Sequence, residues 1–187
     1  MLFRSVEVAP GVSTACLDGM WITSTTLRAV NIHGAVDGIK AYDDVSVLDS
    51  YIHDLARFAS DPNQGGGATH NDAVQTYEAN QHIFLLRNTF AVTADDNATY
   101  QLTQDGGQLA SDIHIERNWL DGGGCTLNFA HKVLAHLTGV HVIGNRFGRN
   151  SFYDCPILIS TQTVLSENSG NVWDDTGLPI PPPQQHD

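Results

Sequence analysis

The side chains best suited to chemistry in this chain are two aspartates that open the same short phrase. Asp37 heads Asp37-Gly38-Ile39-Lys40-Ala41-Tyr42, and Asp72 heads Asp72-Ala73-Val74-Gln75-Thr76-Tyr77. On successive turns of a repeat, their carboxylates would come within about 5 Å, the separation of a retaining glycosidase pair. Like charges that close raise one pKa and create a proton donor. The same pair could hold Ca²⁺ with nearby loop carbonyls. Alternatively, each Asp could cap a turn by accepting backbone N–H groups. His53, with Asp54 beside it, and His70 are the candidate general bases. The glycine-rich stretch "FASDPNQGGGATHNDAVQ" delivers His70 and Asp72 together, and long loops on a rigid scaffold are where function concentrates. The catalytic candidates are therefore Asp37, His53, His70 and Asp72.

The residues around this group suggest a surface for an extended ligand. In the two phrases Ile39 and Val74 point inward, so Lys40, Tyr42, Gln75 and Tyr77 point out, and Asn128 extends the same column. Such a polar and aromatic stripe suits a sugar chain. Hydrolysis of a neutral glycan would use the paired carboxylates. β-Elimination on a uronan needs a base and a cation, for which Lys40 and Arg57 are at hand. A binding module needs the stripe alone.

What must position these residues is a repeat. Ile113-x-Ile115-x-x-Asn118-x-Leu120 matches Val140-x-Val142-x-x-Asn145-x-Phe147 and Ile83-x-Leu85-x-x-Asn88-x-Phe90. Val45-x-Val47-x-x-Ser50-x-Ile52 puts Ser in the Asn slot, and Thr163-x-Leu165-x-x-Asn168 keeps the corner. The alternation is that of short strands, and the turns carry Gly, Asn and Asp. An uneven period of roughly 20 to 40 residues indicates a solenoid with loop insertions. The expected fold is an all-β, right-handed parallel β-helix. Ile39, Val74, Leu127 and Ile157 should stack in one sheet, and Val45, Ile83, Ile113 and Val140 in the next. Asn88, Asn118, Asn145 and Asn168 should line one corner, where Asn tolerates left-handed backbone.

Residues 13–177 form the expected solenoid domain, and 178–187 a Pro-rich tail. Residues 1–12 read as a non-native or truncated start, since Leu2-Phe3-Arg4-Ser5 is also the translation of a common sequencing-adapter end. The expected location is extracellular, with the signal segment missing from this chain. The formal net charge of −12, from 21 acids against 9 bases, argues against nucleic acid as a partner. No apolar run approaches the ~20 residues of a membrane span. The three cysteines, Cys16, Cys125 and Cys155, define no disulfide framework. Cys125 and Cys155 open equivalent strands within bonding range, and the favoured reading is an unbonded ladder of small apolar side chains. No CxxC pair suggests zinc, and no metal ligands are assigned.

"DGIKAYDDVSVLDSYIHDL", "THNDAVQ", "WLDGGGCTLNF", "VIGNRFGR" and "GNVWDDTG" together resemble the right-handed β-helix, pectate-lyase-like domains of secreted actinobacterial proteins. The resemblance covers about Leu27 to Gly177. It implies the fold and a role in handling a polysaccharide or cell-surface glycan, as a polysaccharide lyase or hydrolase, or as a non-catalytic glycan-binding or adhesion module.

Overall fold

The computed structural model describes residues 1–12, 14–77, 81–103, 111–130 and 137–186, with Tyr77 and Thr103 described in their backbone alone. The described residues wind through seven rungs of three short strands. The first is β1 (Leu2–Arg4), β2 (Glu7–Val8) and β3 (Met20–Ile22). Then come β4 (Thr25–Arg28), β5 (Asn31–Ile32) and β6 (Ile39–Ala41), followed by β7 (Val45–Leu48), β8 (Tyr51–His53) and β9 (Asp72–Tyr77). The fourth and fifth rungs are β10 (Gln81–Leu86), β11 (Thr89–Ala91), β12 (Ala98–Thr103) and β13 (Ser111–Glu116), β14 (Trp119–Asp121), β15 (Leu127–Phe129). The last two are β16 (Val140–Ile143), β17 (Arg146–Phe147), β18 (Ile157–Ile159) and β19 (Glu167–Ser169), β20 (Val172–Trp173), β21 (Gln184–Gln185). Every third strand pairs in parallel, giving three seven-stranded sheets. We call them A (from β1), B (from β2) and C (from β3). The fold is a right-handed parallel β-helix.

Alternation along each strand sends one set of side chains into the tube. In sheet A, Val45, Ile83, Ile113 and Val140 stand in register and are fully buried. In sheet C the inward column runs Ile39, Val74, Tyr100, Leu127, Ile157. Tyr100 is the member that the repeat pattern did not supply, because its rung opens on Asn97-Ala98 and not on Asp or Cys. Its hydroxyl donates to Thr76 Oγ1 at 3.0 Å, so the ring is buried with its polar tip satisfied.

The corner between A and B is held by a buried ladder of side-chain amides. The backbone N–H groups of Ser50, Asn88, Asn118 and Asn145 donate to Oδ1 of Asn88, Asn118, Asn145 and Asn171, at 2.8 to 2.9 Å. Each Nδ2 donates back to a strand carbonyl of the rung before. Two expectations change here. The left-handed residue is the one preceding the ladder position (Ala29, Asp49, Arg87, Arg117, Gly144, Gly170), and the Asn serves as bridge. The last member is Asn171, not Asn168, because β16 pairs with β19 through Val142↔Asn168. β19 carries exposed polar residues where apolar ones would go, and the pattern was misaligned by three residues.

Both ends of the chain contribute strands. β1 and β2 lie in residues 1–12 and pair with β4 and β5, while β21 lies in the Pro-rich stretch and pairs with β18. Cys125 and Cys155 form a disulfide, correcting the expectation of free thiols, and Cys16 is free and exposed. Stacked positions in neighbouring rungs bring their Cα atoms to 4.7 Å, close enough to bond.

Candidate functional site

The first three connections from sheet B to sheet C contribute to the walls of a cleft over sheet C. The longest, between β8 and β9, is pinned from below. Asn71 is completely buried, and its Nδ2 donates to Val36 O and Ala56 O, both at 2.8 Å, while Thr69 Oγ1 donates to its Oδ1. The loop's tip is a 3₁₀ turn, Pro62–Gln64, whose N-terminal cap is Asp61. This ordering converts a glycine-rich insertion into a fixed wall.

The floor is a column of aspartates. The pairing Met20↔Ile39 sets Asp18 opposite Asp37, and Ile39↔Val74 sets Asp37 opposite Asp72. The rungs close tightly here because Gly19 and Gly38 lack side chains. A Cβ on Gly19 would stand 2.4 Å from Gly38 O, and one on Gly38 2.5 Å from Ala73 O. Asp37 is nearly enclosed. Its Oδ1 accepts the Asp72 N–H at 2.7 Å, and its Oδ2 accepts from the Lys40 ammonium. Lys40 also donates to Gln75 Oε1 and lies 3.9 Å from Asp18. Asp72 is fully buried, with Asn97 Nδ2 donating to its two oxygens at 3.0 and 3.2 Å.

The electrostatics follow from this packing. Burial raises the Asp37 pKa, and Lys40 works against that rise. Burial, and then the neighbouring charge of Asp37, push Asp72 well above the ordinary carboxylate range. Burial alone would favour loss of the Lys40 proton, but Asp37 and Asp18 outweigh it and hold the ammonium above its usual value. The floor is thus an ion pair lying beside a carboxyl that tends to keep its proton.

The cleft itself, of about 560 Å³, gathers Asp37, Lys40, Tyr42, His70 and Gln75. Asp72 lies beneath it, closed to solvent. His53 lies elsewhere, on sheet B, sandwiched between His33 and Tyr51, with its ring nitrogens facing Asn31 and Asp54. It ends β8 on the outer face of sheet B, so nearness in sequence to the insertion did not bring it to the floor. Asn128 stands in the outward column of Lys40 and Gln75 but two rungs past Gln75, lining a separate hollow, with Oδ1 accepting from Ala130 N–H. Tyr77 falls on a side chain outside the described residues. Ca²⁺ does not fit between Asp37 and Asp72: the Lys40 ammonium takes the position of the cation, and the backbone and Asn97 occupy the remaining oxygens. Among the described residues no group of three or more His, Cys, Asp or Glu converges as metal ligands.

Sequence reasoning missed the cleft's most exposed aromatic. Trp21 is 66% exposed, its Nε1 donates to Asp18 Oδ2 at 2.8 Å, and its ring lies 6.3 Å from that of Tyr42, tilted by 46°. The signal was present: Asp18-Gly19-Met20-Trp21-Ile22 repeats Asp37-Gly38-Ile39-Lys40-Ala41. Gln101 was also missed, between Gln75 and Asn128 in the outward column. Among the described residues no helix is long and apolar enough to cross a membrane. No protein-family model, curated protein or solved structure matches this chain, and the chemistry of the cleft is what bears on its function.

Proposed function

We propose that this β-helix binds a neutral glycan in the cleft over sheet C, outside the cell, and that it acts there as a binding module. The observation that carries the reading is the exposed Trp21 ring, fixed by Asp18 and tilted toward Tyr42 at the edge of a floor of hydrogen-bonding groups. A sugar has apolar faces that stack on aromatic rings and hydroxyls that both donate and accept. Asp18, Lys40, Gln75 and His70 offer both kinds of partner. The overall charge favours a neutral glycan over a polyuronate, and the lysine at the floor, Lys40, is neutralised by Asp37. The Cys125–Cys155 disulfide supports the extracellular reading, since such bonds persist in oxidising compartments.

Hydrolysis is the second reading, favoured by a single observation: Asp72 is biased toward holding a proton next to Asp37. Its burial counts against it, because a general acid must reach the glycosidic oxygen. Calorimetry with neutral oligosaccharides and with pectin and alginate fragments tests the proposal, alongside assays for new reducing ends and unsaturated products. Binding of a neutral glycan, roughly tenfold weaker in Trp21→Ala combined with Tyr42→Ala, is the expected result. Turnover that is lost in Asp72→Asn would replace the binding module with an enzyme, and the absence of binding to any glycan would end the proposal.

A further inference from the structure

The cleft does not end at the 54–71 wall. A second hollow of about 450 Å³ adjoins it, and the two share Gln64 and His70. A third, of about 560 Å³, adjoins the second through Asn97, Gly124 and Tyr153. The three form a track parallel to the solenoid axis. Where the second hollow meets the third stand Phe152 and Tyr153, with 63% and 66% of their surfaces exposed. Adjacent exposed aromatics are unusual on a surface that carries no other requirement for them.

The backbone that carries these two rings is pinned on both sides. Phe152 N–H donates to Gly123 O at 2.9 Å, and Tyr153 N–H to Gly124 O at 3.2 Å. Just beyond them Cys155 N–H donates to Ser151 Oγ at 2.9 Å, and Cys155 is bonded to Cys125. The rings meet edge to face, with centroids 4.8 Å apart at 83°. An exposed apolar surface that is already ordered loses little entropy when a ligand covers it. Arg57, His70, Asp95 and Asn97 line the same hollow and provide donors and acceptors. The Arg57 guanidinium is set by a bond to Asp95 O at 2.6 Å.

We propose that Phe152 and Tyr153 are a second stacking station for the glycan, so that one linear oligosaccharide runs along the axis from Trp21 to Tyr153. This rests on the glycan-binding reading of the first cleft. Trp21 belongs to the first rung, and Tyr153 packs on Gly124 at the entry to the fifth. Four rung steps of about 4.8 Å separate them by roughly 19 Å, which is longer than a disaccharide can reach. The ligand class is therefore a linear neutral polymer and not a terminal sugar.

The test is calorimetry on the full chain with neutral cello-, xylo-, manno- and malto-oligosaccharide ladders from disaccharide to hexasaccharide. The variants are Phe152→Ala with Tyr153→Ala, and separately Trp21→Ala. All three side chains are exposed, and thermal melts check that each variant keeps its fold. In the unsubstituted protein, affinity should rise at least tenfold from disaccharide to hexasaccharide. The 152/153 variant should lose that rise while keeping the disaccharide affinity, and Trp21→Ala should weaken every length. If Trp21→Ala weakens binding but the 152/153 variant binds hexasaccharide like the parent, the second station is wrong and the first cleft stands. If no member of any ladder binds, both are wrong.

Discussion

The backbone N–H of Asn118 donates to Oδ1 of Asn145, one rung on, at 2.9 Å, and the Asn118 side-chain Nδ2 reaches the same oxygen at 3.0 Å. A single carboxamide oxygen thereby satisfies two donors in a place closed to water. The relationship recurs at Asn88 and Asn118. It lets the chain turn from sheet A to sheet B through a left-handed residue that need not be glycine, such as Arg87 or Arg117. The strain of that conformation, about 1–2 kcal/mol per corner, is offset by hydrogen bonds that the corner would otherwise lack.

Removing one link should therefore cost more than one hydrogen bond. In Asn118→Ala the buried Asn88 N–H and Leu85 carbonyl both lose a partner. The expected loss is roughly 3 kcal/mol, read as a lower midpoint in urea with an unchanged slope. A loss below about 0.5 kcal/mol would show that water replaces the amide in the corner.

The disulfide makes a separable prediction. Thiol titration of the native chain should find one accessible cysteine, Cys16, and after reduction and unfolding three. The bond closes a loop across a sequence separation of 30, so Cys125→Ser with Cys155→Ser should lower stability by roughly 3 kcal/mol. Three reactive thiols in the native, unreduced protein would contradict the bond.

At the cleft floor, Lys40 and Asp37 should show strong coupling. Lys40→Met leaves the nearly enclosed Asp37 carboxylate without its counter-ion and should cost roughly 3 kcal/mol. Asp37→Asn added to it removes the orphaned charge and should restore part of the loss. A double-mutant cycle checks this, and simple additivity of the two substitutions would mean that the pair is not an interacting unit.

The strands were legible in the sequence because burial on one face forces alternation, and Val45, Ile83, Ile113 and Val140 obey it without exception. The corner Asn residues were legible because their amides must meet rung by rung. The error at Asn168 arose where the forcing stopped: β19 carries exposed polar residues opposite the buried apolar ones of β16, so its pattern gives no register. The site was half legible. Asp37, Lys40, Tyr42, His70 and Gln75 belong to recurring phrases or to a marked insertion, and the cleft gathers them. His53 shares their neighbourhood only along the chain, and a corner carries it to another face. Phe152 and Tyr153 reach the track through a connection whose length repeats nowhere else, so no periodicity points to them. Burial of Asp72 depends on how closely Gly38 lets the rungs approach, a distance that no single residue states.

That burial gives the last prediction. Enclosure and the nearby Asp37 charge raise the Asp72 pKa in the folded chain. In the unfolded chain it should titrate near 3.9. Between those two values the folded state holds a proton that the unfolded state has released. Stability then falls as pH rises across the window, by at most about 1.4 kcal/mol per pH unit from this group. Below the unfolded value both states are protonated and the slope from Asp72 vanishes. Asp72→Asn stays neutral at every pH, and a carboxamide, like a protonated carboxyl, can still accept from Asn97 through its oxygen. Urea midpoints measured from pH 3.5 to 8 should show the variant and the parent converging at the acid end. Towards neutral pH the variant should become the more stable of the two. Asp37, also raised by burial, titrates in both proteins, and as long as Asp72 keeps its proton Asp37 faces a neutral neighbour in both. A variant that is less stable than the parent by the same margin at every pH would mean that the cost is one of shape and hydrogen bonding, with no proton held at Asp72. A deficit that grows towards neutral pH would mean that Asp72 is ionised in the fold and that Lys40 depends on its charge.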